Sequence, residues 1–175
     1  VLIAVAVTVP LVVRDSTREE ATSAPADLDD VKVYDGLEVA HTTRDVDYPQ
    51  SPPVGGPHSP VWLDCGVYDE PVRDEDAVHD LEHGTVWITY DPDTDVDLSA
   101  LEDALPQNGI LSPYPGLDAP VVVTVWGRQL GLSGADDPRL ELFIRTFGGG
   151  ETAPEPFASC AGGVRSPDGE PGVGI

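Results

Sequence analysis

The chain has 175 residues, 40% of them hydrophobic, with three Trp, 18 Gly and 18 Pro, a length that supports one folded domain with tails and leaves little room for a second. Its 32 acidic residues against nine basic ones give a formal charge of -23, and with no cluster of Lys or Arg to neutralise phosphates, nucleic-acid binding is excluded and anionic membrane surfaces repel the domain. The charge favours a solvated acidic surface or, as the alternative reading, a cation buffer.

Residues 1–13 form an uncharged apolar run that is too short to cross a bilayer alone, because a span takes about 20 residues. It is expected to be a truncated membrane anchor; the remnant of a secretory signal, or a first strand rich in β-branched residues, are the alternatives. Arg14, Asp15, Arg18, Glu19 and Glu20 stop the run, and 14–30 reads as a polar linker. The expected organisation is a single-pass protein of the cell membrane that touches the membrane through this segment alone. Residues 31–163 would form the extracytoplasmic domain and 164–175 a flexible tail. Cys65 and Cys160 fit such a compartment, where oxidising conditions close thiol pairs, so a disulfide is predicted, with two separate buried thiols as the alternative.

Within the domain, 32–39 is expected as a first strand. Residues 45–60 carry Pro49, Pro52, Pro53, Gly55, Gly56, Pro57 and Pro60, which excludes regular structure and predicts a long, proline-stiffened loop with His58 at its far end. Residues 74–83 have helical composition and end at Gly84, a natural C′ residue. The β-branched and aromatic stretch 85–90 follows directly as a strand. Ser99 with Glu102 makes a capping box ahead of a helix ending near Leu105. Residues 110–112 and 121–127 read as two more strands, and 140–147 as a last helix stopped by Gly148, Gly149 and Gly150. The resulting order predicts an α+β fold: a single domain with a mixed or antiparallel sheet and helices packed on one face.

All four histidines lie between His41 and His83. His79 and His83 stand at i and i+4, one turn apart on the same helical face. His79-Asp80-Leu81-Glu82-His83 also matches the H-x-x-E-H arrangement of inverted zinc proteases, in which the carboxylate activates a metal-bound water. His41 after a strand and His58 at the end of its loop can converge on that face, giving the three or four ligands a metal site needs. With no Met in the chain and the cysteines expected to be oxidised, imidazole-rich Zn(II) or Cu(II) is the expected ion. Glu82 would support these ligands, act as an alternate ligand or, in a hydrolase, serve as general base. The competing reading has the four histidines hydrogen-bonding loop backbone and holding the Pro/Gly segment to the core.

Asp91, Asp93, Asp95, Asp97 and Glu102 fall on positions of a calcium-loop template, but Val96 replaces the turn glycine and a strand precedes the segment, so an acidic turn into a helix is expected. Ser51 and Ser59 sit in no nucleophile elbow, and the glycines at 148–150 lack the context of a phosphate-binding loop.

Pro52-Pro53-Val54-Gly55-Gly56-Pro57-His58, Cys65-Gly66-Val67-Tyr68, Val78 through Gly84 and the strand to Tyr90, then Val125-Trp126-Gly127-Arg128 and Ala153-Pro154-Glu155, resemble the family of domain of unknown function 3105. The resemblance runs from about His41 to Gly163. It implies a bacterial, largely actinobacterial, exported protein with one N-terminal membrane segment, marks the histidine motifs as family features, and brings no activity with it. Three functions follow from the residues: a metal-binding or delivery domain, a non-enzymatic structural or interaction module of the cell envelope, and a metal-dependent hydrolase. The weight falls on the non-enzymatic readings, and no protein partner is named by the sequence.

Overall fold

The structure is a computed structural model that describes residues 26–167. The apolar run over 1–13 lies outside the described residues, as do most of the 14–30 linker and the end of the tail. Among the described residues no helix is long and apolar enough to cross a membrane.

Nine elements follow in order: β1 Lys32–Val33, β2 Gly66–Val67, α1 Asp74–Glu82, β3 Val86–Tyr90, α2 Leu98–Ala104, β4 Gly109–Pro113, β5 Val121–Val125, β6 Arg128–Leu132 and α3 Pro138–Phe147. The six strands make one mixed sheet in the order β1-β6-β5-β3-β4-β2. β3 pairs parallel with β4 and antiparallel with β5, so α2 is the crossover that a parallel neighbour requires. β5 and β6 form an antiparallel hairpin across Trp126 and Gly127. The α+β single domain and mixed sheet are as expected from the sequence; β2 and β6 are additional strands, the first only two residues long and the second hidden by its Arg, Gln and Gly content. The first strand is only two residues long, where eight were expected.

The helices do not share one face. Val86 and Ile88 pack with Leu101 of α2 and Leu140 and Phe143 of α3. Trp87, pointing the other way, packs with Ala77, Val78 and Leu81 of α1. Strand side chains alternate between faces, so α1 covers the opposite side of the sheet from α2 and α3. The mostly apolar β5, buried at all five residues including Thr124, has the pattern of a strand covered on both faces.

Two caps also differ from expectation. Asp97, not Ser99, caps α2, its side chain accepting from Ala100 N. α1 ends as predicted at Gly84 (φ 80°), where Gly84 N donates to Leu81 O and Thr85 N to Asp80 O. These two bonds form a Schellman motif, which needs the left-handed residue that glycine supplies without a Cβ penalty. The turn feeds α1 straight into β3.

The predicted disulfide joins Cys65 to Cys160, with Cα atoms 5.0 Å apart. Closing a loop of 95 residues stabilises the fold by on the order of 4 to 5 kcal/mol in the chain-entropy model. Beyond it, Val164 bridges to Leu63, Arg165 Nε donates to Asp64 Oδ2 at 2.9 Å, and Pro167 O accepts from Arg73 N. The boundary drawn at 163 therefore falls inside the folded unit: Val164 exchanges backbone hydrogen bonds with Trp62 and Asp64, and the Arg165 side chain and Pro167 carbonyl hold the following residues to Asp64 and Arg73. At the other end, Leu28 packs against the main core and Asp30 pairs with Arg139, so folded contacts begin before residue 31.

Candidate metal centre

Three segments bring the histidines together. The loop carrying His58 is held down along its length: Gly127 N donates to Val54 O, Gln129 Nε2 to Pro52 O, and the Tyr48 hydroxyl to Pro57 O. His41 and His58 then meet in an isolated parallel bridge, with Thr42 N donating to His58 O at 2.7 Å and His58 N to Ala40 O at 3.0 Å. The third segment is α1, whose spacing sets His79, Glu82 and His83 on one face. Ser59 N donates to Glu75 O, tying the loop to the helix.

The four sequence-predicted histidines and Glu82 converge. His58 Nε2 lies 3.0 Å from Glu82 Oε2, and His41 Nε2 lies 3.7 Å from the same oxygen. His79 Nε2 lies 3.1 Å from His83 Nε2. One donor atom each from His41, His58 and His79 lie within 4.8 Å of one another, as do donor atoms of His79, Glu82 and His83. For comparison, two ligands of a tetrahedral ion with bonds of about 2.0–2.1 Å stand about 3.3 Å apart.

The outer nitrogens decide the tautomers. His58 Nδ1 is 2.8 Å from Gly56 O, and His79 Nδ1 is 2.7 Å from Ser59 O. A carbonyl oxygen can only accept, so each Nδ1 carries the proton and, in the neutral ring, each Nε2 presents a lone pair inward. These lone pairs face a carboxylate oxygen in one case and another imidazole nitrogen in the other. The Nδ1 of His83 is buried with no hydrogen-bond partner. Burial lowers the His79 pKa to about 4, against the Ser59 carbonyl bond that raises it and with further lowering from the neighbouring imidazoles. His79 is therefore neutral at ordinary pH, the state in which an imidazole ligates.

Glu82 is buried in the last turn of α1, where the helix dipole adds negative potential to a carboxylate whose oxygen faces the imidazoles of His58 and His41. That is costly for an anion without a cation beside it. His58, His79, Glu82 and His83 are all buried, whereas the His41 side chain is 52% exposed.

Sequence reasoning gave Glu82 as a support for the histidines, an alternate ligand or a hydrolase base; its Oε2 stands 3.0 Å from His58 Nε2 and 3.7 Å from His41 Nε2. It also missed three residues. Glu155 Oε2 comes within 3.7 Å of His83 Nε2, its backbone N–H donating to Glu82 O. Trp62 flanks His79 and His83, with ring centroids 5.5 and 5.6 Å away, and Trp126 meets His58 edge-on at 6.0 Å. Ala153-Pro154-Glu155 and Val125-Trp126 stood among the motifs of the family resemblance, which was the signal available. Ser51 donates to the Tyr114 hydroxyl. The acidic segment after β3 is a turn, with Asp93 N donating to Asp91 Oδ1 and Thr94 N to Asp91 O.

No curated protein and no solved structure matches the chain. The family described as Protein of unknown function (DUF3105) matches residues 40–162, a stretch that holds all four histidines, Glu82, Glu155 and both cysteines. The chain in which these groups converge thus belongs to the DUF3105 family.

Proposed function

We propose that this domain binds one divalent transition metal ion, Zn(II) or Cu(II), through His79 together with donors drawn from His41, His58, Glu82 and His83. The observation that carries the reading is the pair of outer hydrogen bonds, from His58 Nδ1 to Gly56 O and from His79 Nδ1 to Ser59 O. Metal-bound histidines characteristically donate the second ring N–H to a carbonyl or carboxylate, which orients the ring and fixes its tautomer. Here that arrangement turns the Nε2 lone pairs of neutral His58 and His79 toward Glu82 and His83, where a cation between these groups would take them as ligands. Imidazole and carboxylate donors, with both cysteines in a disulfide and no Met in the chain, suit Zn(II) or Cu(II).

The role is binding or delivery of the ion on the extracytoplasmic side of the cell membrane, with membrane contact confined to the apolar run over 1–13. The disulfide supports an oxidising compartment. Histidines serving as structural staples would also donate to Gly56 O and Ser59 O, but a staple does not require donor atoms of His41, His58 and His79, and of His79, Glu82 and His83, to gather within 4.8 Å of one another. As a hydrolase base, Glu82 would stand one water away from an open ligand position; instead its oxygen is within hydrogen-bond distance of His58.

Elemental analysis of protein purified without an affinity tag tests the proposal, with about one equivalent of metal expected at a site of this ligand count. Replacing His79, common to both donor groups, by Ala should abolish uptake. Metal far below one equivalent, unchanged after Zn(II) or Cu(II) is supplied, would leave the envelope interaction module as the function.

A further inference from the structure

The donor set divides into two overlapping groups. His41, His58 and His79 form one, and His79, Glu82 and His83 the other. His79 belongs to both, and since its Nδ1 carries a proton donated to Ser59 O, it has a single lone pair to give. One ion at a time can use it. The two groups are therefore two mutually exclusive positions for a single cation, not a dinuclear centre.

The positions differ in their access to solvent. The inner one is buried at all three residues, whereas the outer one includes the exposed His41. His41 also lines a surface depression with Glu38, Arg44, Asp45 and Asp47. Glu38, Asp47 and Asp45, the last paired with Arg73 at 3.5 Å, leave the mouth acidic beside Arg44, and on a chain of net charge -23 they concentrate cations there and speed their arrival. Glu82 Oε2, of the inner group, lies 3.0 Å from His58 Nε2 and 3.7 Å from His41 Nε2 of the outer one.

We propose that a divalent cation is captured at the outer position and passes to the inner one by ligand exchange on His79. This rests on the metal-binding reading above. His41 and His58 receive the ion from the acidic depression together with His79. Glu82 then binds as His41 leaves, and His83 completes the inner set. The ion keeps His79 throughout, so it never has to shed every protein ligand at once. No electron needs to be transferred, and the reverse sequence is the route of release. His41 thus controls the rate of exchange, while His83 and Glu82 control retention.

Stopped-flow mixing of metal-free protein with Cu(II), read by tryptophan fluorescence, tests this order. Trp126 lies beside His58 of the outer group and Trp62 beside His79 and His83, so a paramagnetic ion quenches at either position. Two phases are expected, a fast one proportional to Cu(II) concentration and a slower one independent of it. His41→Ala should slow the first phase several-fold while the final stoichiometry stays at that of the wild type, and His83→Ala should remove the second phase. Combined Glu38→Gln, Asp45→Asn and Asp47→Asn substitutions, all at the surface, should slow the first phase by about tenfold at low salt, at the lower end of electrostatic steering, and flatten its salt dependence. A single phase in the wild type, or wild-type uptake rates in His41→Ala, would overturn the proposed order while leaving metal binding intact. Protein that takes up no Cu(II) at equilibrium would overturn both.

Discussion

Helices α1 and α3 have nearly the same length, nine and ten residues, and pack on opposite faces of one sheet. α3 is an ordinary amphipathic helix: Leu140 and Phe143 are its buried residues, Asp137 caps it, and its Arg145 and Glu141 pair in solvent. α1 is buried at eight of its nine residues, including Glu75, Asp76, His79, Asp80 and Glu82, and its N-cap position, Arg73, makes no side-chain cap. Asp76 Oδ2 and Asp80 Oδ1 are buried without partners. Burying polar groups this way costs free energy unless something compensates. The contrast teaches that α3 is built for stability, while α1 keeps an arrangement that stability alone would not select.

The largest expected effect falls on whatever holds α1 under cover. Cys65→Ser with Cys160→Ser should lower unfolding free energy in denaturant titrations by on the order of 4 kcal/mol. Because the disulfide anchors the segment that brings Glu155 to α1, this double variant should also bind metal less tightly. A loss of stability with unchanged metal affinity would separate the cover from the site.

Next in size is the metal itself. Zn(II) at 100 times its dissociation constant should stabilise the protein by about 2.7 kcal/mol, raising Tm by roughly 5 to 10 °C for a domain of this size. His79→Ala should lose that increment, whereas Asp137→Ala should keep it and instead lose about 1 kcal/mol with or without metal, the worth of a helix cap. A Zn(II)-induced shift in Tm that survives His79→Ala would place the metal elsewhere.

The smallest effects are two opposite pH dependences at the helix starts. Burial raises the Asp74 pKa to about 6, against the lowering bond from Tyr114 and with the charge of Glu75 adding to the rise. The folded state then holds a proton that the unfolded state releases near 3.8. The Asp74 contribution is therefore full below about pH 4 and lost as pH rises through 6. Asp137 is displaced the other way, its carboxylate held far below the usual range chiefly by hydrogen bonds from Arg139. Its contribution is present above pH 4 and lost as pH falls further. Asp74→Asn should remove the first slope and Asp137→Asn the second, measured as unfolding free energy against pH on metal-free protein. Equal slopes in the wild type and Asp74→Asn would mean that its carboxyl titrates alike in both states.

Much of the site was legible because its signals are local. His79, Glu82 and His83 share a face through helical spacing alone, and Gly84 announces the end of that helix. The positions that were misread depend on partners distant in sequence. Nothing in residues 140–147 says which side of the sheet they will cover, and Val164 looks like a tail until Leu63 is placed beside it. Ser99 and Glu102 fit a capping box, yet the chain enters the helix two residues earlier because Asp97 reaches Ala100 N first.

By itself the sequence determined the α+β class, the main helices and central strands, the pairing of its two cysteines and the identity of the four imidazoles. These follow from local periodicity, from residue chemistry and from there being one pair of thiols to join. Tertiary structure decided that α1 and α3 lie on opposite faces, that Glu82 stands among the ring nitrogens, and that Glu155 and the two tryptophans surround them. Those outcomes depend on which surfaces meet when the loop over 45–60 and the disulfide-bound C-terminal segment close over α1, and long-range packing of that kind leaves no periodic trace in the chain.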